Sequence, residues 1–297
     1  MPSLCSATGF WNAMINKTQS ALSEVARRLA AVSPAEEEMG LATCRPLPSV
    51  ETVRALMDQV RKVIFPDFFG AGQPCSETRP FRIGVDVEEL FALLSDLCGA
   101  DQALTFLETL PEIRRRLLTD VSAVAQNDPA VTGYDEIISC YPVVTVMLHY
   151  RTAHQLLLQG VSVIPRIITE LAHSVTGVDI HPAARIGTHF AIDHGTGIVI
   201  GATSVIGDHV MLYQGVTLGA RNFKYDEEGL PLDIPRHPIL EDNVTVYSNT
   251  SILGHVRIGH DTVIGGNIWL THDVPPGSRI MQSKAVYVRS FTGGEGI

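Results

Sequence analysis

The 297-residue sequence is short of several things, and each shortage excludes a class of protein. Basic residues are few and scattered: 22 Lys and Arg against 32 Asp and Glu leave a net charge of −10, which excludes a protein built to neutralise nucleic-acid phosphates. No stretch reaches the ~18 consecutive apolar residues that span a bilayer, and the opening MPSLCSATGFWNAMINK has neither the basic start nor the apolar run of a secretory leader. No membrane partner is expected, and the cytoplasm is the expected compartment. The five cysteines, at 5, 44, 75, 98 and 140, contain no CxxC pair and stop before the second half. Neither a disulfide framework nor a cysteine-held zinc is indicated, and they read as reduced thiols that mostly fill core.

Glycine is scarce only in the first half, where 8 of the 25 fall in residues 1–160. That half reads as helices over 17–33, 49–65, 86–110, 111–127 and 140–160, each with apolar residues at three- and four-residue steps. The apolar stripes read as the core of a bundle.

The second half is too rich in Gly, Asn, Asp and β-branched residues for helix interiors. Aliphatic residues return there every sixth position: Ile180, Ile186, Ile192, then Ile200, Ile206, Leu212 and Leu218, and again Leu240, Val246, Ile252, Ile258, Ile264 and Leu270. A fixed short period marks a solenoid whose repeats are too small to fold alone and are buried by their neighbours. Six residues make one short strand and a turn, so three hexads close a triangular coil of eighteen. The rhythm breaks twice. Two extra residues fall between Ile192 and Ile200, where Asp193 and His194 sit, and a loop of roughly sixteen residues separates Leu218 from Leu240, ending in Arg236 and His237. Loops that long in a compact domain are functional or mobile.

The slip reads as a place where a polar pair bulges from an otherwise smooth coil. Histidine suits proton removal near neutral pH, so His194 is the candidate general base. Asp179, fifteen residues earlier and close to one coil away, is the carboxylate that could fix its tautomer. Arg236 has the planar fork that grips a carboxylate, or it is a solvated loop charge. Asp128, followed by Pro129, could equally cap a helix.

The motifs NDPAV (127–131), VDIHPAARIG (178–187), IDHGTGIVIG (192–201), QGVTLG (214–219) and RHP (236–238), after a helical half and before a terminal GEGI, resemble the serine O-acetyltransferases of the hexapeptide-repeat acyltransferase superfamily. The resemblance implies an α+β chain, with a helical domain over 1–176, a left-handed parallel β-helix over 177–282 and a tail over 283–297. It implies acetyl transfer from acetyl-CoA to L-serine with no acetyl-enzyme, His194 and Asp179 as the catalytic pair, and no metal. Arg236 and His237 are expected to hold the substrate carboxylate, and Asp128 and Asp193 its ammonium. Gly219, Ala220, Ser248 and Gly266 are expected along the acetyl-CoA crevice, although Tyr247 and Asn249 stand where glycine is common. L-cysteine is the expected feedback inhibitor, and a trimer or dimer of trimers with sites between subunits the expected assembly. A further expected partner is O-acetylserine sulfhydrylase, through Ile297.

Three other readings share the architecture. A sugar or antibiotic acetyltransferase differs only in its acceptor. A zinc hydratase of the γ-carbonic-anhydrase kind would use the H-x4-H pairs His189 with His194 and His255 with His260. A solenoid that only mediates assembly would do no chemistry.

Overall fold

The computed structural model describes residues 4–41, 48–70 and 77–282, with backbone alone for 4–16. The tail from 283 onward, with its expected ligand Ile297, lies outside the described residues. Residues Met1–Leu47 and Pro48–Ile297 form separate compact units. In the first, α1 (Leu4–Ala30) is followed by α2 (Pro34–Glu38), which starts with a capping box. There Ser33 Oγ accepts from the Glu36 N–H, while Glu36 Oε2 accepts from the Ser33 N–H.

The second unit opens with α3 (Val50–Ile64), α4 (Pro66–Phe69), α5 (Arg79–Cys98), α6 (Ala100–Asn127), α7 (Tyr134–Cys140), α8 (Pro142–Leu158) and α9 (Ile164–Thr176). Two expected boundaries move. The break expected at Pro111 falls at Gly99, whose φ of 90° ends α5, and α6 runs through Pro111. Its buried stripe of Phe106, Leu110, Ile113 and Leu117 keeps three- and four-residue spacing across the proline, so packing overrides the local penalty. The helix expected over 140–160 starts instead at Pro142, because Tyr141 is held extended by the proline after it. Helix α9, which the periodicity reading passed over, ends at Gly177 with φ 71°. Among the described residues no helix is long and apolar enough to cross a membrane.

Fourteen short strands follow among the described residues: β1 (Asp179–Ile180), β2 (Arg185–Ile186), β3 (Ala191–Asp193), β4 (Val199–Ile200), β5 (Val205–Ile206), β6 (Met211–Tyr213), β7 (Thr217–Gly219), β8 (Ile239–Leu240), β9 (Thr245–Val246), β10 (Ser251–Leu253), β11 (Arg257–Ile258), β12 (Val263–Ile264), β13 (Trp269–Leu270) and β14 (Arg279–Ile280). They stack in parallel as three faces: β1-β4-β7-β10-β13, β2-β5-β8-β11 and β3-β6-β9-β12-β14. This is the parallel β-solenoid of about five turns that the six-residue period requires. All thirteen aliphatic ticks are at most 5 % exposed. Each such side chain contributes roughly 1.5–3 kcal/mol by leaving water, so the period itself stabilises the coil.

The corners explain the polar composition. Turning from the second face to the third needs a left-handed residue on every coil, supplied by His189, His209, Asn243 and Asp261, all with φ of 55–60°. Asn, Asp and His are the non-glycine residues that tolerate this conformation best. From the third face to the first, Gly215, Asn249 and Asn267 do the same. Asn249 thus replaces glycine at a turn that either residue can make.

Helices α6 and α8 latch onto the first coil. The Tyr150 hydroxyl donates to the Ala184 carbonyl at 2.6 Å and accepts from the Ile186 N–H at 3.1 Å. Arg151 forks onto Asp120 at 2.8 and 2.9 Å, both side chains being almost wholly buried. Asp120 also accepts from the Phe190 N–H at 3.0 Å, and Arg151 donates to the Gly187 carbonyl at 2.9 Å. Burial pushes the Asp120 carboxyl up to about 6 against the pull of the guanidinium. The latch ends at Phe190, the residue before β3, so it fixes α6 against the strand carrying Asp193.

Candidate active site

Both departures from the six-residue period produce a cluster of chemical groups, one on each side of the first face. At the corner from the third face to the first, β3 ends at Asp193 and the chain makes the two-residue excursion. His194 (φ 57°), Gly195 and Gly197 are all left-handed there, where a regular corner needs one such residue. The His194 side chain is pushed out, 71 % exposed, with Nδ1 3.5 Å from Asp193 Oδ1. The end of α6 faces it. Asp128 follows α6 as its C-cap, with Oδ1 accepting from the Ala130 N–H at 2.8 Å and Oδ2 from the Tyr141 hydroxyl at 2.8 Å. It is therefore not the first-turn cap that Pro129 allowed.

Those two hydrogen bonds, with a smaller pull from His194, hold the Asp128 carboxyl below the usual range. The same bond pushes the Tyr141 phenol up to about 12. Asp128, Tyr141, Asp193 and His194 line one cavity of about 710 Å³ with Asn127 and Cys140. Cys140 is exposed there, an exception to the expectation that the cysteines mostly fill core.

At the corner from the first face to the second, the long loop returns as Arg236 and His237. Here the side chains are drawn in: His237 is 8 % exposed. Thr203, on the preceding coil, organises both residues. Its Oγ1 accepts from the backbone N–H of Arg236 at 2.9 Å and of His237 at 3.1 Å, and its own N–H donates to His237 Nδ1 at 3.2 Å. Burial, then Arg236 and His181, lower the His237 imidazole to about 4, so the ring is neutral at pH 7. A Cβ at Gly201 would overlap that ring, so glycine makes its seat. Arg236 lines a second cavity of about 730 Å³ with His181, Arg185 and His255.

Asp179 is not where the eighteen-residue coil puts it. The slip lengthens the first coil to twenty residues, so Asp179 pairs in register with Val199 on the first face. Its nearest cation is Arg166, Nη1 to Oδ1 3.5 Å, which also pairs with Glu170. The carboxylate beside His194 within this chain is that of Asp193. The four crevice residues divide likewise. Gly219 and Ala220 lie at the base of the long loop, whereas Ser248 and Gly266 are rung neighbours at the His194 corner, a Cβ on Gly266 falling 3.1 Å from the Ser248 carbonyl. The H-x4-H pairs are not clusters. His189 stacks on His209 at 4.2 Å, one corner away from His194, while His255 faces the His237 carbonyl and His260 binds Asp261.

Tyr141, Thr203 and Gly201 were missed by sequence reasoning. The only signal for Tyr141 was the proline after it; the other two act across coils and leave none.

A helical region latched to a parallel solenoid of six-residue rungs, with an imidazole bulged from one corner, is the architecture expected of a hexapeptide-repeat acyltransferase. No family model matches the chain. It is 40 % identical over 277 residues to the plasmid serine acetyltransferase of Synechococcus elongatus, covering 85 % of this chain and 86 % of that protein. Among solved structures it resembles serine acetyltransferase isoform 3 of Entamoeba histolytica in complex with cysteine, with TM-score 0.69 and 31 % identity over 84 % of this chain and 87 % of that one. It also resembles soybean serine acetyltransferase complexed with serine, with TM-score 0.55 and 27 % identity over 78 % of this chain and 96 % of that one. The chain belongs to the serine acetyltransferases.

Proposed function

We propose that the protein transfers the acetyl group of acetyl-CoA to the hydroxyl of L-serine, giving O-acetyl-L-serine and CoA, the step that feeds cysteine synthesis. The observation that carries the reading is the cavity in which two carboxylates, Asp128 and Asp193, face an exposed imidazole, His194. The carboxylates hold the substrate ammonium, and His194 removes the hydroxyl proton as oxygen attacks the thioester carbonyl. The carbon–sulfur bond then breaks, and the imidazolium returns the proton to the departing thiolate. No bond to the protein forms.

The substrate carboxylate needs a cation, which the acidic cavity lacks and Arg236 on the other corner supplies. The two corners flank the first face, so a second copy set against that face brings the basic corner of one chain to the acidic corner of the next. We therefore place the site, the acetyl-CoA crevice with Gly219, Ala220, Ser248 and Gly266, and the role of Asp179 between copies, in a trimer or dimer of trimers. L-cysteine shares the ammonium and carboxylate of serine and competes for the same groups. Cysteines without a CxxC pair suit a reducing compartment, and the cytoplasm is where we place the enzyme.

The test is thiol release from acetyl-CoA, corrected for hydrolysis, with L-serine, a sugar and an aminoglycoside as acceptors. Release that depends on L-serine supports the reading; release that depends on either other acceptor overturns it.

A further inference from the structure

Two tyrosines extend from the acidic corner along the edge of the solenoid. Asp193 pairs in register with Tyr213 on the next coil. The Tyr213 ring stacks on that of Tyr247 on the coil after it, with centroids 4.7 Å apart and planes 13° from parallel. Burial, then Tyr247, Asp193 and Asp128, push the Tyr213 phenol up, so the first ring stands beside the site carboxylates. The stack then stops. The register Val246 to Ile264 makes Gly265 the rung-mate of Tyr247, and Gly265 has no side chain to continue the column. Tyr247 is accordingly 42 % exposed. A Cβ placed on Gly265 would lie 3.4 Å from the sulfur of Met281, which forms the far lip of the gap.

A column of rings with one covered and one open face is a stacking platform for a flat ligand. Its position limits what that ligand is. The gap lies three coils from Asp193, roughly 14 Å at the usual spacing of adjacent strands. Its immediate chain neighbours are Ser248 and Gly266, the residues expected along the acetyl-CoA crevice. A thioester carbonyl at His194 and a planar ring in the gap are therefore joined by a long flexible arm, which is the construction of coenzyme A.

We infer that Tyr247, with Gly265 and Met281, forms the binding site for the adenine ring of acetyl-CoA. The inference rests on acetyl-CoA being the acetyl donor. Tyr247 contributes by stacking, and Met281 by a sulfur contact at the ring. Tyr213 backs the platform and does not itself contact adenine, because Tyr247 covers its outer face.

The experiment compares acetyl-CoA with S-acetylpantetheine, which carries the same thioester and arm without the nucleotide. The measured quantity is the ratio of kcat/KM for the two donors at saturating L-serine. A ratio within one enzyme sample is independent of the fraction folded. Tyr247→Ala and Tyr247→Leu lower this ratio roughly 5- to 100-fold, the usual worth of one base stacked on an aromatic ring, while Tyr247→Phe and Tyr247→Trp keep it. If a variant turns over neither donor, calorimetric affinities for CoA and pantetheine give the same ratio. An unchanged ratio in both non-aromatic variants overturns the inference and makes Tyr247 a subunit contact or a surface ring only. A parent enzyme that does not use acetyl-CoA overturns the donor reading, a distinct result.

Discussion

The two corners beside the first face are built in opposite ways from the same repeat. At the acidic corner two added residues push His194 outward into left-handed backbone, 71 % exposed, with Nδ1 3.5 Å from Asp193 Oδ1. At the basic corner a long loop returns and His237 is drawn inward, 8 % exposed, seated over Gly201 and held by Thr203. A base must reach its substrate and exchange protons with it, which exposure permits. A neutral ring beside a guanidinium can fix a carboxylate only if it does not move, which burial ensures. A solenoid whose rungs are all alike offers neither, so the chemistry stands where the period fails.

The largest effect expected at either corner is that of His194→Ala. Turnover falls by roughly two to four orders of magnitude, the usual worth of a positioned base, with little change in acetyl-CoA affinity. Steady-state kinetics on a variant with parental circular dichroism checks it, and near-normal kcat would remove His194 from the chemistry. On the proposed arrangement, in which Asp179 orients the imidazole of a second copy, Asp179→Asn is expected to cost less than His194→Ala in the same assay.

The basic corner is broken by a residue that touches no substrate. Gly201→Ala places a methyl group where the His237 ring sits, and the imidazole has to move. A misplacement of about 1 Å in a positioning group costs on the order of a hundredfold, and that loss is expected in kcat/KM for serine. The KM for acetyl-CoA stays near the parental value. Equal loss toward both substrates would mean that the substitution damages the coil rather than the seat.

Acid sharpens the same contrast. The folded chain holds His237 at about 4, below its ordinary value of 6.5. Between these values the unfolded chain binds a proton that the folded chain refuses, so this contribution to stability is complete above pH 6.5 and is lost as pH falls toward 4. Urea midpoints at pH 5 and 7 are expected to differ more for the parent than for His237→Asn. An equal difference would place the acid sensitivity elsewhere.

Much of this was legible in the sequence because burial writes a period. Every sixth residue must point inward, so the thirteen ticks and both interruptions could be found without coordinates. The same interruptions hid the register. Two extra residues make the first coil twenty long, and Asp179 therefore stands beside Val199 and not His194. Thr203 and Gly201 were illegible because their partner is more than thirty residues away, across the inserted loop. Pro111 misled for a different reason: a continuous buried stripe outweighed the one hydrogen bond that proline removes.

The smallest expected effect tests whether the acidic corner is as loosely held as its exposure implies. Asp128 is fixed from both sides, Oδ1 by the Ala130 N–H and Oδ2 by the Tyr141 hydroxyl, and each oxygen keeps a lone pair for an ammonium. Tyr141→Phe removes one of these holds and leaves the ring, so packing beside Pro142 is kept. Losing one hydrogen bond to a carboxylate is expected to change an equilibrium constant roughly 2- to 13-fold. The expected result is a rise of that size in the serine KM and the cysteine inhibition constant together, with kcat at saturating serine changed less, because the phenol orients the ammonium and not the reacting oxygen. A change in kcat alone would move Tyr141 from holding Asp128 to acting on the hydroxyl, and would make the acidic corner a three-group machine rather than a base with two anchors.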